Sequence, residues 1–204
     1  MTNDTKADHD SGAVPGPADA LVVVDVQNDF LPGGALAVAG GEEVVPVLNR
    51  YIARFRAGGH MIVATRDWHP KDHCSFKPWG GTWPPHCIAG TPGAAFAPGL
   101  ELPADTLIVS KDTAPDQETY SGFGETDLAA KLRARGIRRL FVGGLATDYC
   151  VLHTVTGGLD AGFTVYVLAD AVRAVDVTAG DGTRALRAME DRGAKIRSPD
   201  VSGP

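Results

Sequence analysis

Five short runs of apolar and β-branched residues constrain this chain more than any other feature: "ALVVVDV" (20–26), "HMIVAT" (60–65), "TLIVS" (106–110), "RLFVGG" (139–144) and "TVYVLAD" (164–170). They are nearly continuous rather than alternating, so each suits a strand buried on both faces, the condition of a parallel sheet covered by helices. Helical stretches fall between them. "EEVVPVLNRYIARFRAGG" ends in a glycine pair suited to a C-cap, and "TDLAAKLRARG" offers Thr126 as N-cap and Gly136 after its last turn. "VTAGDGTRALRAMEDRGA" and "VLHTVTGGLDAG" read as two more. The alternation predicts right-handed βαβ crossovers and a doubly wound α/β fold, a mostly parallel sheet with helices on both faces. At 204 residues, one such domain over 19–198 is expected, with a disordered N-terminal tail over 1–18 and a C-terminal tail over 199–204.

Composition removes several function classes. Lys and Arg total 19 against 25 Asp and Glu, a formal charge of −6, and no basic stripe appears, which argues against nucleic acid as a partner. No run approaches the roughly 20 apolar residues of a membrane span, and the first residues lack the apolar segment of a signal peptide. Three cysteines without a C-x-x-C pair do not make a disulfide framework, and a reducing, cytoplasmic location is expected. No G-x-G-x-x-G, Walker loop or G-x-S-x-G elbow is present, and Cys150 lacks the following arginine of a cysteine phosphatase loop.

In open α/β sheets, ligands bind beyond the carboxyl ends of the strands. The first run ends in Asp25, the second leads into Asp67, the third delivers Lys111, and the fourth turns through "GGLATD" into Cys150. Carboxylate, carboxylate, amine and thiol are therefore expected at one edge. A thiol in the first turn of a helix, capped by Thr147 or Asp148 and near Lys111, is expected to be a primed nucleophile. Asp25 would take and return its proton, and backbone N–H groups of the turn would face an oxyanion. Blander readings stand beside this one: Asp25 and Lys111 as an ion pair, Cys150 as core, or a Cys150–His153 dyad.

The stretch 66–105 breaks the strand–helix rhythm and is dense in Pro, Gly, Trp and His, as a functional loop would be. His69, His73 and His86 fall there beside Asp67, a donor set suited to zinc, iron or manganese. Asp67 and His69 share one side of an extended segment. A structural zinc site using Cys74 and Cys87 is the competing arrangement.

"DVQNDF", "DWHP", "WPPHC", the lysine of "VSKD", "YSGF" and "GLATDYC", in this order, resemble the nicotinamidase/pyrazinamidase family of isochorismatase-like hydrolases over about residues 20–195. The resemblance implies hydrolysis of nicotinamide to nicotinate and ammonia, with pyrazinamide as a further substrate, through a thioester on Cys150. It implies a triad of Asp25, Lys111 and Cys150. It also implies one divalent metal on Asp67, His69 and His86 that binds the pyridine nitrogen, with His73 at a variable fourth position. A cis Leu145–Ala146 peptide would aim the N–H groups of Ala146 and Cys150 at the oxyanion. Phe30, Trp83, Tyr120, Leu145 and Tyr149 match substrate-pocket positions, Tyr149 standing where some relatives carry histidine. Family members range from monomers to larger assemblies, so a homo-oligomer is compatible with the resemblance. Another amidase of the superfamily, acting on a carbamoyl or aliphatic amide, an isochorismatase-type vinyl-ether hydrolase and a non-catalytic metal-binding module are the alternatives.

Overall fold

The structure, a computed structural model, describes residues 15–197. The tails expected at 1–18 and 199–204 lie outside the described residues, except for 15–18. These four residues lead into the sheet through a turn in which Asp19 N–H donates to Gly16 O (3.0 Å).

Six strands form one parallel sheet: β1 (Asp19–Val24), β2 (Met61–Asp67), β3 (Leu107–Lys111), β4 (Arg139–Leu145), β5 (Thr164–Arg173) and β6 (Lys195–Arg197). Their order is β3-β2-β1-β4-β5-β6, so the chain winds outward from β1, returns to the middle and winds out the other way. The direction switches between β1 and β4, where such sheets open a crevice. This is the doubly wound arrangement expected from the alternating runs.

Side-chain alternation on β1 explains the two layers. Leu21 and Val23 face one core with helix α1 (Val44–Ala57), which contributes Val44, Leu48, Ile52 and Phe55 at helical spacing. Ala20, Val22 and Val24 face the other core. That side is covered by α2 (Leu128–Ala134), α3 (Leu152–Asp160) and α4 (Asp181–Asp191), through Leu128 and Leu132, Val155, and Ala185 and Met189. Between β2 and β3 no α-helix forms, only two short 3-10 turns at Lys77–Trp79 and Pro92–Ala94. The Pro- and Gly-rich segment covers the α1 side instead, burying Ala94, Ala97 and Leu100.

Element ends differ from the sequence reading in physically simple ways. β1 stops at Val24 rather than at 26 because Asp25 adopts φ +48. Thr126 stands one residue before the N-cap, Asp127, although its hydroxyl still accepts from Leu128 N–H (3.3 Å). α4 begins only at Asp181, after Gly180 at φ +86. The glycine pair after α1 does end it: Gly59 adopts φ +66 and His60 N–H returns to Phe55 O (2.9 Å). β6 has no sequence signature; its three residues become a strand by pairing with Tyr166–Leu168. Among the described residues no helix is long and apolar enough to cross a membrane.

Candidate active site

The carboxyl ends of β1, β2, β3 and β4 meet at the crevice. β4 reaches it by passing hard against β1: a Cβ on Gly144 (φ +130) would lie 2.1 Å from Val24 O, so only glycine fits. The register of β4 against β5 shifts between Val142 and Gly144. The Leu145–Ala146 peptide is cis, and a π-helical turn, Thr147–Val151, follows, with Val151 N–H donating to Ala146 O (3.0 Å). Cys150 is in that turn. Neither Thr147 nor Asp148 caps it, contrary to the sequence reading. Asp148 has a tertiary task, accepting from Val175 N–H and Asp176 N–H (2.9 Å each) in the β5–α4 loop.

Lys111 is the centre of the cluster. Its Nζ lies 2.9 Å from Asp25 Oδ2 and 3.4 Å from Cys150 Sγ, and it contacts Asp67 Oδ1. Asp25, Asp67 and Cys150 each bring one polar atom within 4.8 Å of the others. Thr65 Oγ1 donates to Asp25 Oδ1 (2.6 Å), while Asp25 Oδ2 accepts no hydrogen bond despite its proximity to the lysine. Asp25 and Lys111 are thus an ion pair, but one with a thiol against it. His153 packs its ring on Tyr120 (5.4 Å between centroids) instead of entering this group.

The two carboxylates are pushed apart in acidity. Burial, with the charge of Asp67, raises Asp25 against the pull of Lys111. Burial also acts on Asp67, but Lys111 and His69 outweigh it and hold Asp67 below the usual carboxylate range. Lys111 rises well above its ordinary value, because Asp25 and Asp67 overcome its own desolvation. Such a split suits Asp67 to stay an anion and Asp25 to accept a proton. The thiol does not behave as a helix start suggests. Burial raises Cys150 well above the ordinary thiol range, Lys111 opposes this, and Asp25 and Asp67 add to it.

Asp67, His69 and His86 form a second group, each offering a ligand atom within 4.8 Å of the others. Both imidazoles are oriented by backbone: Nδ1 of His69 faces His86 O (3.1 Å) and Nδ1 of His86 faces Pro84 O (2.8 Å). Those carbonyls can only accept, so each Nδ1 carries the hydrogen and each Nε2 is left as a lone-pair donor. His86 Nε2 is 4.0 Å from Asp67 Oδ2. Burial pushes His69 down to about 4 and lowers His86, keeping both rings neutral as metal ligands must be. One carboxylate and two neutral imidazoles fit a first-row divalent ion. His73 is not in this group. Its Nδ1 is 2.7 Å from Ser75 Oγ and its Nε2 2.7 Å from Gln117 O, so both nitrogens are already engaged. Cys74 and Cys87 do not join it either; Cys87 is buried in the α1-side core, its backbone N–H held by Asp29 Oδ2 (2.7 Å).

A cavity with Cys150 and Ala146 at its base opens between the two groups, with Asp67 and His86 on one side. Phe30, Trp83, Tyr120 and Tyr149, the positions that the resemblance implies, are among its lining residues. Trp83 Nε1 donates to Tyr120 OH (3.0 Å), which donates to Glu118 Oε1 (2.8 Å), and Tyr149 sets its edge against Trp83 (5.2 Å). Leu145 is not a wall residue: it lies with Phe141 on the α1 side and is fully buried there. Leu36, Val38 and Val175 complete the apolar rim and were missed, since isolated aliphatic residues in loops give no signal. Asp112 was also missed. It adopts φ +55 beside Lys111, places Oδ2 3.8 Å from both Lys111 Nζ and His69 Nε2, and is raised by burial to about 7. A wider groove at the opposite end of the sheet, lined by Arg56, His60, Thr106 and Arg135 among others, holds no nucleophile or ligand cluster among the described residues.

Comparison with known proteins agrees with this geometry. A nicotinamidase/pyrazinamidase of Mycobacterium tuberculosis is 42% identical over 169 residues, covering 79% of this chain and 86% of the relative. The crystal structure of a Pyrococcus horikoshii pyrazinamidase in complex with zinc superimposes with a TM-score of 0.86 at 50% identity, over 90% of this chain and 100% of the other. A protein of L. infantum solved in complex with nicotinate gives 0.85 at 36% identity, over 91% and 96%. The isochorismatase domain model matches residues 19–200, and with the Asp–Lys–Cys crevice between β1 and β4 it fixes the assignment: the chain belongs to the isochorismatase family.

Proposed function

We infer that this chain is a metal-dependent cysteine amidohydrolase that converts nicotinamide to nicotinate and ammonia, and pyrazinamide to pyrazinoate. The observation that carries the reading is the position of Cys150 Sγ, 3.4 Å from Lys111 Nζ, at the base of an aromatic cavity beside Asp67 and His86. A flat heteroaromatic ring suits the Phe30, Trp83 and Tyr120 walls, and a carboxamide on that ring reaches the thiol. The relatives named for nicotinamidase and pyrazinamidase activity, and the neighbour holding nicotinate, support the substrate class. Asp67, His69 and His86 would hold one divalent ion, zinc first among the candidates, whose chemistry when bound is a Lewis-acid contact with the ring nitrogen.

The chain's own residues then account for the chemistry. As Sγ bonds to the carboxamide carbon, Asp25 takes the thiol proton; burial that raises Asp25 helps this transfer, and Lys111 opposes the burial that raises the thiol. The tetrahedral oxyanion faces the N–H groups of Ala146 and Cys150. Asp25 returns the proton to the amide nitrogen, the C–N bond breaks, and ammonia leaves a thioester. Water attacks that carbon and gives one proton to Asp25; the C–S bond breaks, Asp25 reprotonates the sulfur, and the acid product loses water's second proton to solvent as nicotinate departs. Lys111 keeps its charge throughout and stabilises the thiolate whenever it forms. Three free cysteines, one of them the nucleophile, support a reducing compartment such as the cytoplasm.

The test is ammonia release from nicotinamide by purified protein before metal stripping, after it, and after zinc is returned, with Cys150→Ala alongside. Turnover should vanish and return with the metal, and Cys150→Ala should be folded and inactive. An active Cys150→Ala enzyme would end the mechanism, and turnover indifferent to metal would remove Asp67, His69 and His86 from it.

A further inference from the structure

Asp25 and Asp67 lie at the ends of neighbouring strands that have to diverge. β1 and β2 remain paired as far as Val24 and Thr65, and Asp25 N–H still donates to Thr65 O (3.3 Å). Asp25 then turns away at φ +48, while β2 runs on to Asp67, paired with Lys111 of β3. The fork takes the strand neighbour from one side of Asp67, whose backbone N–H and C=O are buried and each need a partner.

Gln27 supplies both. Its Oε1 accepts from Asp67 N–H (2.8 Å) and its Nε2 donates to Asp67 O (2.8 Å), the pair of bonds a strand residue would have made. The other Nε2 hydrogen goes to Ala94 O (2.9 Å) in the loop packed beneath. Gln27 N–H donates to Asp25 O (2.9 Å), tying the side chain's own backbone to the departing turn. The residue is fully buried.

We propose that Gln27 is a positioning residue, which replaces the missing strand at the fork and thereby aims the Asp67 carboxylate at His69, His86 and Lys111. The proposal rests on the reading of Asp67 as a metal ligand. Among side chains of this size only a carboxamide combines one acceptor and two donors in a plane. Methionine would leave Asp67 N–H and O unpaired, and glutamate has nothing to donate when ionised. The carboxylate it holds has little freedom, with Oδ1 on Lys111 and Oδ2 turned toward His86. A shift of the Asp67 backbone is therefore felt at both.

Zinc affinity of the metal-free enzyme, measured by competition with a chromophoric chelator, tests this without turnover. Gln27→Met should weaken zinc about 10–100-fold, the usual loss when a group orienting a ligand is removed. Leu132→Ala, in the core between α2 and the sheet, should lose thermal stability and keep its zinc affinity, which separates positioning from general destabilisation. If Gln27→Met does not fold, Gln27→Asn, one methylene too short to close the pair, is measured in its place with the same expectation. Folded Gln27 variants that bind zinc as the parent does would overturn the proposal while leaving the metal site intact, provided Asp67→Asn binds zinc weakly. Should Asp67→Asn itself bind zinc normally, the metal reading falls and this proposal with it.

Discussion

Lys111→Met removes the cation from a cluster of buried carboxylates, and its cost follows from the geometry. Lys111 Nζ is 2.9 Å from Asp25 Oδ2, touches Asp67 Oδ1 and is 3.8 Å from Asp112 Oδ2, with the Lys111 and Asp25 side chains wholly out of solvent. Unit charges at that first distance attract by about 6 kcal/mol at an effective dielectric of about 20, before desolvation is counted. Stripping one partner from a buried pair costs about 3–5 kcal/mol, since the other charge stays buried. We expect that loss at pH 8, which for a domain of this size lowers Tm by about 6–20 °C. Acidification supplies the check. In the parent, burial pushes Asp67 up but Lys111 and His69 bring it below its ordinary value, so its contribution is present above the unfolded pKa and lost as pH falls through the folded one. In the variant, burial acts on Asp25 and Asp67 with no lysine to oppose it. Their folded pKa values rise above the unfolded ones, and the variant gains stability as pH falls through them. Thermal unfolding of both metal-free proteins between pH 8 and pH 5 should therefore show a gap that narrows on acidification. Adding Asp25→Asn should restore part of the loss at pH 8. An unchanged Tm at pH 8, or a gap that holds or widens toward pH 5, would refute the reasoning.

Two further outcomes are expected. Because burial and the two carboxylates raise the Cys150 thiol, its alkylation by iodoacetamide in the free, metal-stripped enzyme should still be climbing as pH passes 9; a rate already level at pH 7 would mean a preformed thiolate. Asp148→Ala leaves Val175 N–H and Asp176 N–H without their acceptor, at about 1–3 kcal/mol, and loosens the loop that sets Val175 in the cavity rim. KM for nicotinamide should rise more than kcat falls, and a loss in kcat at constant KM would contradict this role for Asp148.

What could be read from the sequence was what depends on local pattern. The apolar runs gave five of the six strands, because strands covered on both faces carry a continuous signature, whereas Lys195–Arg197 is a strand only by virtue of Tyr166–Leu168 beside it. The strand-end rule places Asp25, Asp67, Lys111 and Cys150 at one edge, and the structure clusters them. Reasoning failed where a third neighbour decides. A helix start predicts an acidic thiol, but enclosure with two carboxylates overrides the effect of the turn. Asp148 looks like a cap and is instead spent on a loop 27 residues away. His73 looks like a ligand, yet Ser75 and Gln117 occupy its nitrogens. Gln27 stands inside a motif but gives no sign of its task, which exists only because two strands fork in front of it.

Asp67 belongs to both clusters of the site, one with His69 and His86 and one with Asp25 and Cys150. One oxygen meets Lys111 and the other faces His86, so a single carboxylate joins the histidine cluster to the lysine–thiol cluster. The same sharing explains the charge inventory. Asp25, Asp67 and Asp112 surround one lysine while burial lowers His69 and His86 and raises Asp25 and Asp112, so Asp67 is the carboxylate held as an anion beside the histidines. As a device for stability the arrangement is poor, since apolar residues of similar volume often do as well or better than a buried ion pair. In the proposed mechanism its value is chemical: Lys111 holds Asp67 ionised for the metal side while Asp25, raised by burial and by Asp67, is left able to accept and return the thiol proton. Orientation and proton transfer consequently cannot be adjusted separately through Asp67, and any change that moves its backbone acts on both at once.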